Sequence, residues 1–154
     1  MFLKEFKITS SAELTAVVTE VLRLIKENQV AGEASVLALH GDLGAGKTTF
    51  VQTLARALGV SEVVNSPTFV IMKKYDTLDE QFKQLVHIDA YRIEDIEEMA
   101  PLKLAEELQF AQTIIAIEWA EQISMFLPLT TVHLNFQSTK EEERSITMTY
   151  GQDK

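Results

Sequence analysis

The run Gly41-Asp42-Leu43-Gly44-Ala45-Gly46-Lys47-Thr48 fits the pattern G-x-x-x-x-G-K-[ST]. Three glycines in eight positions let successive backbone N–H groups curl inward around phosphate oxygens, along a path that side chains would obstruct. Lys47 supplies a cation for the β- and γ-phosphates and Thr48 a hydroxyl for Mg²⁺. A helix starting there adds its positive end. The expected nucleotide-binding set is therefore Gly41, Asp42, Leu43, Gly44, Ala45, Gly46, Lys47, Thr48 and Thr49. Asp42 either faces the γ-phosphate or is simply solvated.

A phosphate loop needs acids to hold the magnesium, and two stand at the ends of apolar runs. Asp89 follows Leu85-Val86-His87-Ile88, and Glu118 follows Ile114 to Ile117. In open α/β sheets ligands bind at the carboxyl ends of strands, where both acids would project. Asp89 holds the position of a Walker-B aspartate. Glu118 would bind Mg²⁺ directly, bind it through water, or orient the attacking water. The alternative for either acid is a cap on the helix that follows. His87 lies two residues before Asp89 on the same face of the strand, and a lone histidine there reads first as a packed, hydrogen-bonded core residue. Between the loop and the next strand, Asn65-Ser66-Pro67-Thr68-Phe69 carries a proline that biases Ser66 to extended geometry. Such a segment can present the Thr68 hydroxyl toward the nucleotide, or can be no more than a polar loop entering a strand.

The elements that must position these groups follow from periodicity. A short strand, Phe6 to Ile8, leads to Ser10, with Glu13 at capping-box spacing. Leu14, Val17, Val18, Val21, Leu22 and Ile25 form one helical face, and Val36 to Leu39 is a buried strand. Phe50, Val51, Leu54, Ala55 and Leu58 predict a second helix that stops at Gly59. Residues 68–75 and 82–88 look extended and pair as an antiparallel hairpin, while 94–109 is acidic and helix-leaning, interrupted at Pro101. Residues 113–117 form another apolar strand and Ala120 to Phe126 a short helix. Alternating residues from Val132 to Phe136 and from Ile146 to Tyr150 predict two final strands. The fold class is α/β and P-loop NTPase-like, with a mixed parallel and antiparallel sheet flanked by helices.

At 154 residues the expectation is a single domain spanning 1–154. Net charge is −9, which opposes unaided binding to nucleic acid or to an anionic membrane. Lys73, Lys74 and Lys83 form the one basic patch, on the hairpin. With no cysteine there is no disulfide framework, thiolate zinc site or cysteine nucleophile, and three histidines make a dedicated zinc site improbable. Charges at Lys4, Glu5 and Lys7 argue against a secretory signal, and no apolar run approaches the roughly 18–20 residues that span a bilayer. The expected location is the cytoplasm. The acidic runs 94–98 and 141–143 read as solvated faces, or as docking surfaces for a basic partner.

Four segments in order, GDLGAGKTTF at 41–50, SPTF at 66–69, HIDAYR at 87–92 and IEWAE at 117–121, resemble the TsaE (YjeE/YdiB) family. That family is the bacterial P-loop ATPase of tRNA threonylcarbamoyladenosine (t6A) biosynthesis, and the resemblance covers about residues 5–150. It implies ATP or ADP with Mg²⁺ as cofactors. It also implies TsaB and TsaD as partners, with tRNA reached indirectly through that complex and no membrane. The modification concerned is threonylcarbamoylation of adenosine 37 in tRNAs reading ANN codons. By position, Lys47, Thr68, Asp89, Glu118 and Trp119 are implied as the catalytic set, and Thr48, Asp89 and Glu118 as the metal ligands. The base-binding wall would include Thr9 to Ser11, with Thr9 and Ser11 as contacts, and Arg144. Ala120 follows Trp119 where relatives can carry proline, which implies a less rigid turn here. A small-molecule, nucleoside-type kinase is the alternative, although the chain's four arginines (Arg23, Arg56, Arg92 and Arg144) offer little from which to build a lid. A regulatory GTPase lacks support, since neither an N-K-x-D guanine reader nor a D-x-x-G switch is present.

Overall fold

The computed structural model describes residues 2–42, 44–65, 72–91, 93, 103–140 and 142–151. The chain begins with β1 (Phe2–Ile8), four residues longer than the strand expected from Phe6. Its extra residues pair with the last strand, so the extension is stabilised by a partner at the far end of the sequence. Helix α1 (Ser11–Glu27) starts at Ser10, whose side chain accepts from the Glu13 N–H at 3.3 Å. The Glu13 carboxylate in turn accepts from Thr9 and Ser10 hydroxyls. Of the expected apolar face Leu14, Val17, Val18, Val21 and Ile25 are buried and Leu22 is only partly so, while Leu24, which was not expected there, joins the core.

Strand β2 (Ser35–His40) leads through the glycine-rich loop into α2 (Lys47–Ala57). Then come β3 (Met72–Asp76), β4 (Gln84–Asp89), the four-residue α3 (Leu104–Glu107) and β5 (Thr113–Glu118). A 3-10 helix spans Ala120–Phe126 with a kink at Ile123, where a short helix was expected. The chain closes with β6 (Val132–Lys140) and β7 (Glu143–Tyr150). The expected helical stretch 94–109 is represented among the described residues only by α3.

All seven strands form one sheet in the order β1-β7-β6-β2-β5-β4-β3. The pairs β2–β5, β2–β6 and β4–β5 are parallel, and β1–β7, β6–β7 and β3–β4 antiparallel, so the mixed sheet and the hairpin are as expected. The central strands β2, β5 and β4 are apolar on both faces because both faces are covered. On one side Leu37, Leu39, Leu85, Ile114 and Ala116 pack under α1 and α2. On the other, Val36, Ala38, Val86, Ile88, Ile115 and Ile117 pack with Leu104, Ala120 and Ile123.

Phe50 anchors α2 to the sheet. It is fully buried and meets Phe136 of β6 edge to face at 5.7 Å between centroids. Phe50→Ala should therefore cost about 3–5 kcal/mol, which at this chain length lowers Tm by roughly 6–20 °C. Thermal unfolding followed by circular dichroism checks it.

Candidate functional site

The site lies where β2, β5 and β4 end. Parallel pairing sets Leu39 opposite Glu118 and Glu118 opposite Asp89, so both acids reach the edge at the level where the loop leaves β2. The loop is held close to the sheet at Gly41, which has φ of 145°; a Cβ there would lie 2.6 Å from the Phe136 carbonyl oxygen. At the other end Gly46 caps α2 with φ of 108°, and no side chain caps the helix. The first-turn N–H groups of α2 therefore have no side-chain acceptor there, which is the arrangement that receives an anion.

Lys47 is 5% exposed and its ammonium turns back on its own loop. It donates to the Gly41 carbonyl and, at 3.2 Å, to that of Asp42. The same ammonium stands 3.8 Å from the centroid of the Trp119 ring, a cation–π contact. Burial pulls the Lys47 pKa below the usual lysine range, while the carboxylates of Glu118, Glu121, Asp89 and Asp42 act in the opposite direction.

Thr48 donates its hydroxyl proton to Glu118 Oε1 at 2.8 Å, and Glu118 Oε2 meets His87 Nε2 at 2.6 Å. Glu118 is 3% exposed, Asp89 6% and His87 fully buried. His87 is thus both a packed core residue and the group that orients the Glu118 carboxylate, and its Nδ1 has no hydrogen-bond partner. Asp89 Oδ1 accepts from the Tyr91 N–H at 2.9 Å. A hydroxyl and two carboxylates form a hard-oxygen donor set. Among the described residues no group of three or more His, Cys, Asp or Glu side chains is placed to hold an ion. The set fits Mg²⁺, which keeps several waters and takes few protein ligands, completing its shell with phosphate oxygens.

The residues expected at a base-binding wall come together. Thr9 and Ser11 line an open cleft of about 350 Å³ with Gly44, Gly46, Thr49 and Arg144. The β1–β7 pairing explains this, because Arg144 lies opposite Ile8, beside the turn that contains Thr9. Thr53, Arg56 and Glu142 also line the cleft and were not among the expected site residues. Thr53 and Arg56 follow Thr49 by four and seven positions, so helical spacing from Thr49 was the available signal. Glu142 was hidden in an acidic run that reads as solvated. Leu43 and Thr68 lie outside the described residues, as do the rest of the 66–69 segment and Arg92.

Trp119 adopts φ of 57°, uncommon for an aromatic residue and of order 1–3 kcal/mol in cost. Its ring packs against Tyr91 at 5.0 Å and against the Lys47 ammonium. A ligand that draws Lys47 from its loop carbonyls shifts the cation relative to the indole. Saturating ATP analogue with Mg²⁺ should therefore change Trp119 emission, and the spectrum should differ from that with ADP and Mg²⁺. The chain's single tryptophan makes the reading unambiguous, and identical spectra in the two states would leave Trp119 as packing.

Comparison with known proteins places the chain in a family. Residues 8–146 match the family described as threonylcarbamoyl adenosine biosynthesis protein TsaE. The chain is 40% identical over 119 residues to the Bacillus subtilis tRNA threonylcarbamoyladenosine biosynthesis protein TsaE, covering 77% of this chain and 72% of that one. It is 35% identical over 116 residues to the Treponema pallidum protein of the same name, covering 75% and 82%. Its fold superposes on the crystal structure of Bacillus subtilis YdiB with a TM-score of 0.74 and 29% identity, over 98% of this chain and 87% of that one. With a family match across most of its length and relatives this similar, the chain belongs to the TsaE family.

Proposed function

We propose that this protein is the Mg²⁺-dependent ATPase of t6A biosynthesis, acting as one unit of residues 1–154 on a TsaB–TsaD complex that modifies adenosine 37 of tRNAs reading ANN codons. The observation that carries the ATPase reading is the junction of loop and strand ends. There the Lys47 ammonium and the Thr48 hydroxyl lie beside the Glu118 and Asp89 carboxylates at the mouth of a glycine-rich turn. The family match carries the pathway.

In this reading the first-turn amides of α2 receive the phosphates, and Lys47 exchanges its two loop carbonyls for phosphate oxygens. Thr48, Asp89 and Glu118 hold the magnesium, which supplies charge neutralisation at the phosphates when bound. His87 keeps Glu118 from rotating away. Thr9, Ser11 and Arg144 border the base and ribose, with Thr68 near the γ-phosphate. Arg23 pairs with Glu20 and Glu27 along α1. No described helix is long and apolar enough to cross a membrane.

Independent tRNA binding is not expected. Net charge is −9, and the hairpin's basic patch is partly engaged: Lys74 pairs with Glu107, and Lys83 donates to the Asp79 carbonyl.

Two outcomes test the reading. Lys47→Ala should nearly abolish ATP binding, because phosphate oxygens would lose their main counter-ion in a water-poor site, a loss of several kcal/mol. Calorimetry reads this directly, and an unchanged dissociation constant would mean that phosphates are held elsewhere. Hydrolysis by the isolated chain should be slow and should rise on adding TsaB and TsaD. An arginine finger where present is worth about 10³–10⁵ in rate, and the sequence offers no evident internal one beyond Arg92, three residues after Asp89, which lies outside the described residues. A phosphate-release assay with and without the partners decides it. Fast turnover alone, or no stimulation, counts against the proposal.

A further inference from the structure

Helix α2 carries Thr49, Thr53 and Arg56 down one face, and all three line the cleft beside the phosphate loop. Their hydrogen bonds run in one direction. Thr53 donates its hydroxyl proton to the Thr49 carbonyl at 2.9 Å and accepts from a terminal nitrogen of Arg56 at 3.3 Å. The guanidinium is thereby drawn back along the helix toward the loop, the direction in which helical side chains lean. Among the described residues Arg56 makes no ion pair, in a chain of net charge −9 whose Arg23 is held by two carboxylates. We propose that Arg56 is a contact residue for the nucleoside half of the bound nucleotide, adding affinity for the base while leaving the grip on the phosphates unchanged. The proposal rests on the reading that the glycine-rich loop holds the phosphates.

Position along the helix separates the two halves of the ligand. The anion site is the first turn of α2, at Lys47 and Thr48. At 1.5 Å per residue, Thr53 lies roughly 8–9 Å beyond that turn. A guanidinium anchored there has passed the phosphates and stands where ribose and base follow. Its chemistry suits that end. A guanidinium is planar, always charged and donates only, so it matches the ring nitrogens and carbonyl oxygens of a base, which only accept. It also stacks on the electron-rich face of such a ring.

The rest of the cleft agrees. Arg144 lines it from β7, and Ile8 and Leu14 give it an apolar border. Two guanidiniums lining one cleft repel each other, and a planar ring placed with them gives each a favourable partner. Glu142 lines the same cleft without pairing with Arg56, so the guanidinium is not consumed by the carboxylate that shares its cavity. A general charge effect on the phosphates gives a different pattern. At physiological ionic strength the Debye length is about 8 Å, close to the separation along α2, so the charge of Arg56 alone reaches the phosphates weakly. Direct contact is required for a sizeable effect, and inorganic tripolyphosphate cannot make that contact because it ends where the nucleoside begins.

The test compares ligands on the complete chain with Mg²⁺ at physiological salt. In calorimetry Arg56→Ala should weaken ATP and ADP binding about five- to tenfold, while tripolyphosphate should compete for the loop as well as before. Arg56→Lys keeps the charge and loses the planar fork, and it should lose nearly as much. Equal losses for ATP and tripolyphosphate, or full affinity in the lysine variant, would show a charge effect and overturn the proposal. Unchanged ATP binding in Arg56→Ala would overturn it as well. Failure of the phosphate-loop reading looks different, because Lys47→Ala would then leave tripolyphosphate binding intact. The unmodified protein gives an independent reading by NMR. The Arg56 Nε–H resonance should move on adding ADP and stay in place with tripolyphosphate, and a resonance indifferent to ADP would sink the contact even if a variant failed to fold.

Discussion

The parallel ladder β2–β5–β4 is the constraint from which the site follows. Its three strands are buried on both faces, so their register is set by packing on two sides at once. That register puts Leu39, Glu118 and Asp89 on neighbouring strand ends. A slip of one residue in β5 would turn Glu118 toward the opposite face and place Ile117 beside Thr48. The polar site therefore depends on an apolar fit beneath it, and the interaction between Thr48 and Glu118 reports that the fit is correct.

The charged groups of the site are paired with one another or with the backbone. Lys47 is occupied by two loop carbonyls and the Trp119 ring, Glu118 by Thr48 and His87, and Asp89 caps Tyr91. Buried charged groups left unpaired would cost several kcal/mol each, so a ligand that engages these groups must offer partners in exchange for the ones they have. Binding is then a substitution of partners rather than the filling of a void. Trp119 sits at the centre of that exchange, touching the lysine on one side and Tyr91 on the other.

The second layer of control is the terminal meander. Strands β6, β7 and β1 carry no part of the phosphate loop, yet β7 brings Arg144 beside Thr9 and β6 presses its Phe136 carbonyl against Gly41. The cleft beside the loop exists because the first and last strands pair. The ends of the sequence thus complete a site whose centre is built from its middle.

Much of this was legible along the chain. The phosphate loop, the amphipathic faces of α1 and α2, the buried strands and the acids at their ends are all local patterns. They depend on spacing of 2 or 3.6 residues and on glycines where a backbone must turn tightly. The resemblance of four short segments extended the reading to a family. What sequence alone left open were the facts that join distant residues. The partner of the packed His87 is Glu118, which lies across a strand pair and 31 positions away in the sequence. Glu142 in an acidic run and Arg56 on a helix become cleft residues only through the β1–β7 pairing and the placement of α2. The hydrogen-bonded row Glu121–His40–His133 joins residues up to 93 positions apart and has no signature in any window of the sequence. The physical reason is common to all three. Backbone periodicity is encoded by neighbours, whereas a side chain's partner across the sheet is chosen by strand order and register, which exist only once the sheet has formed.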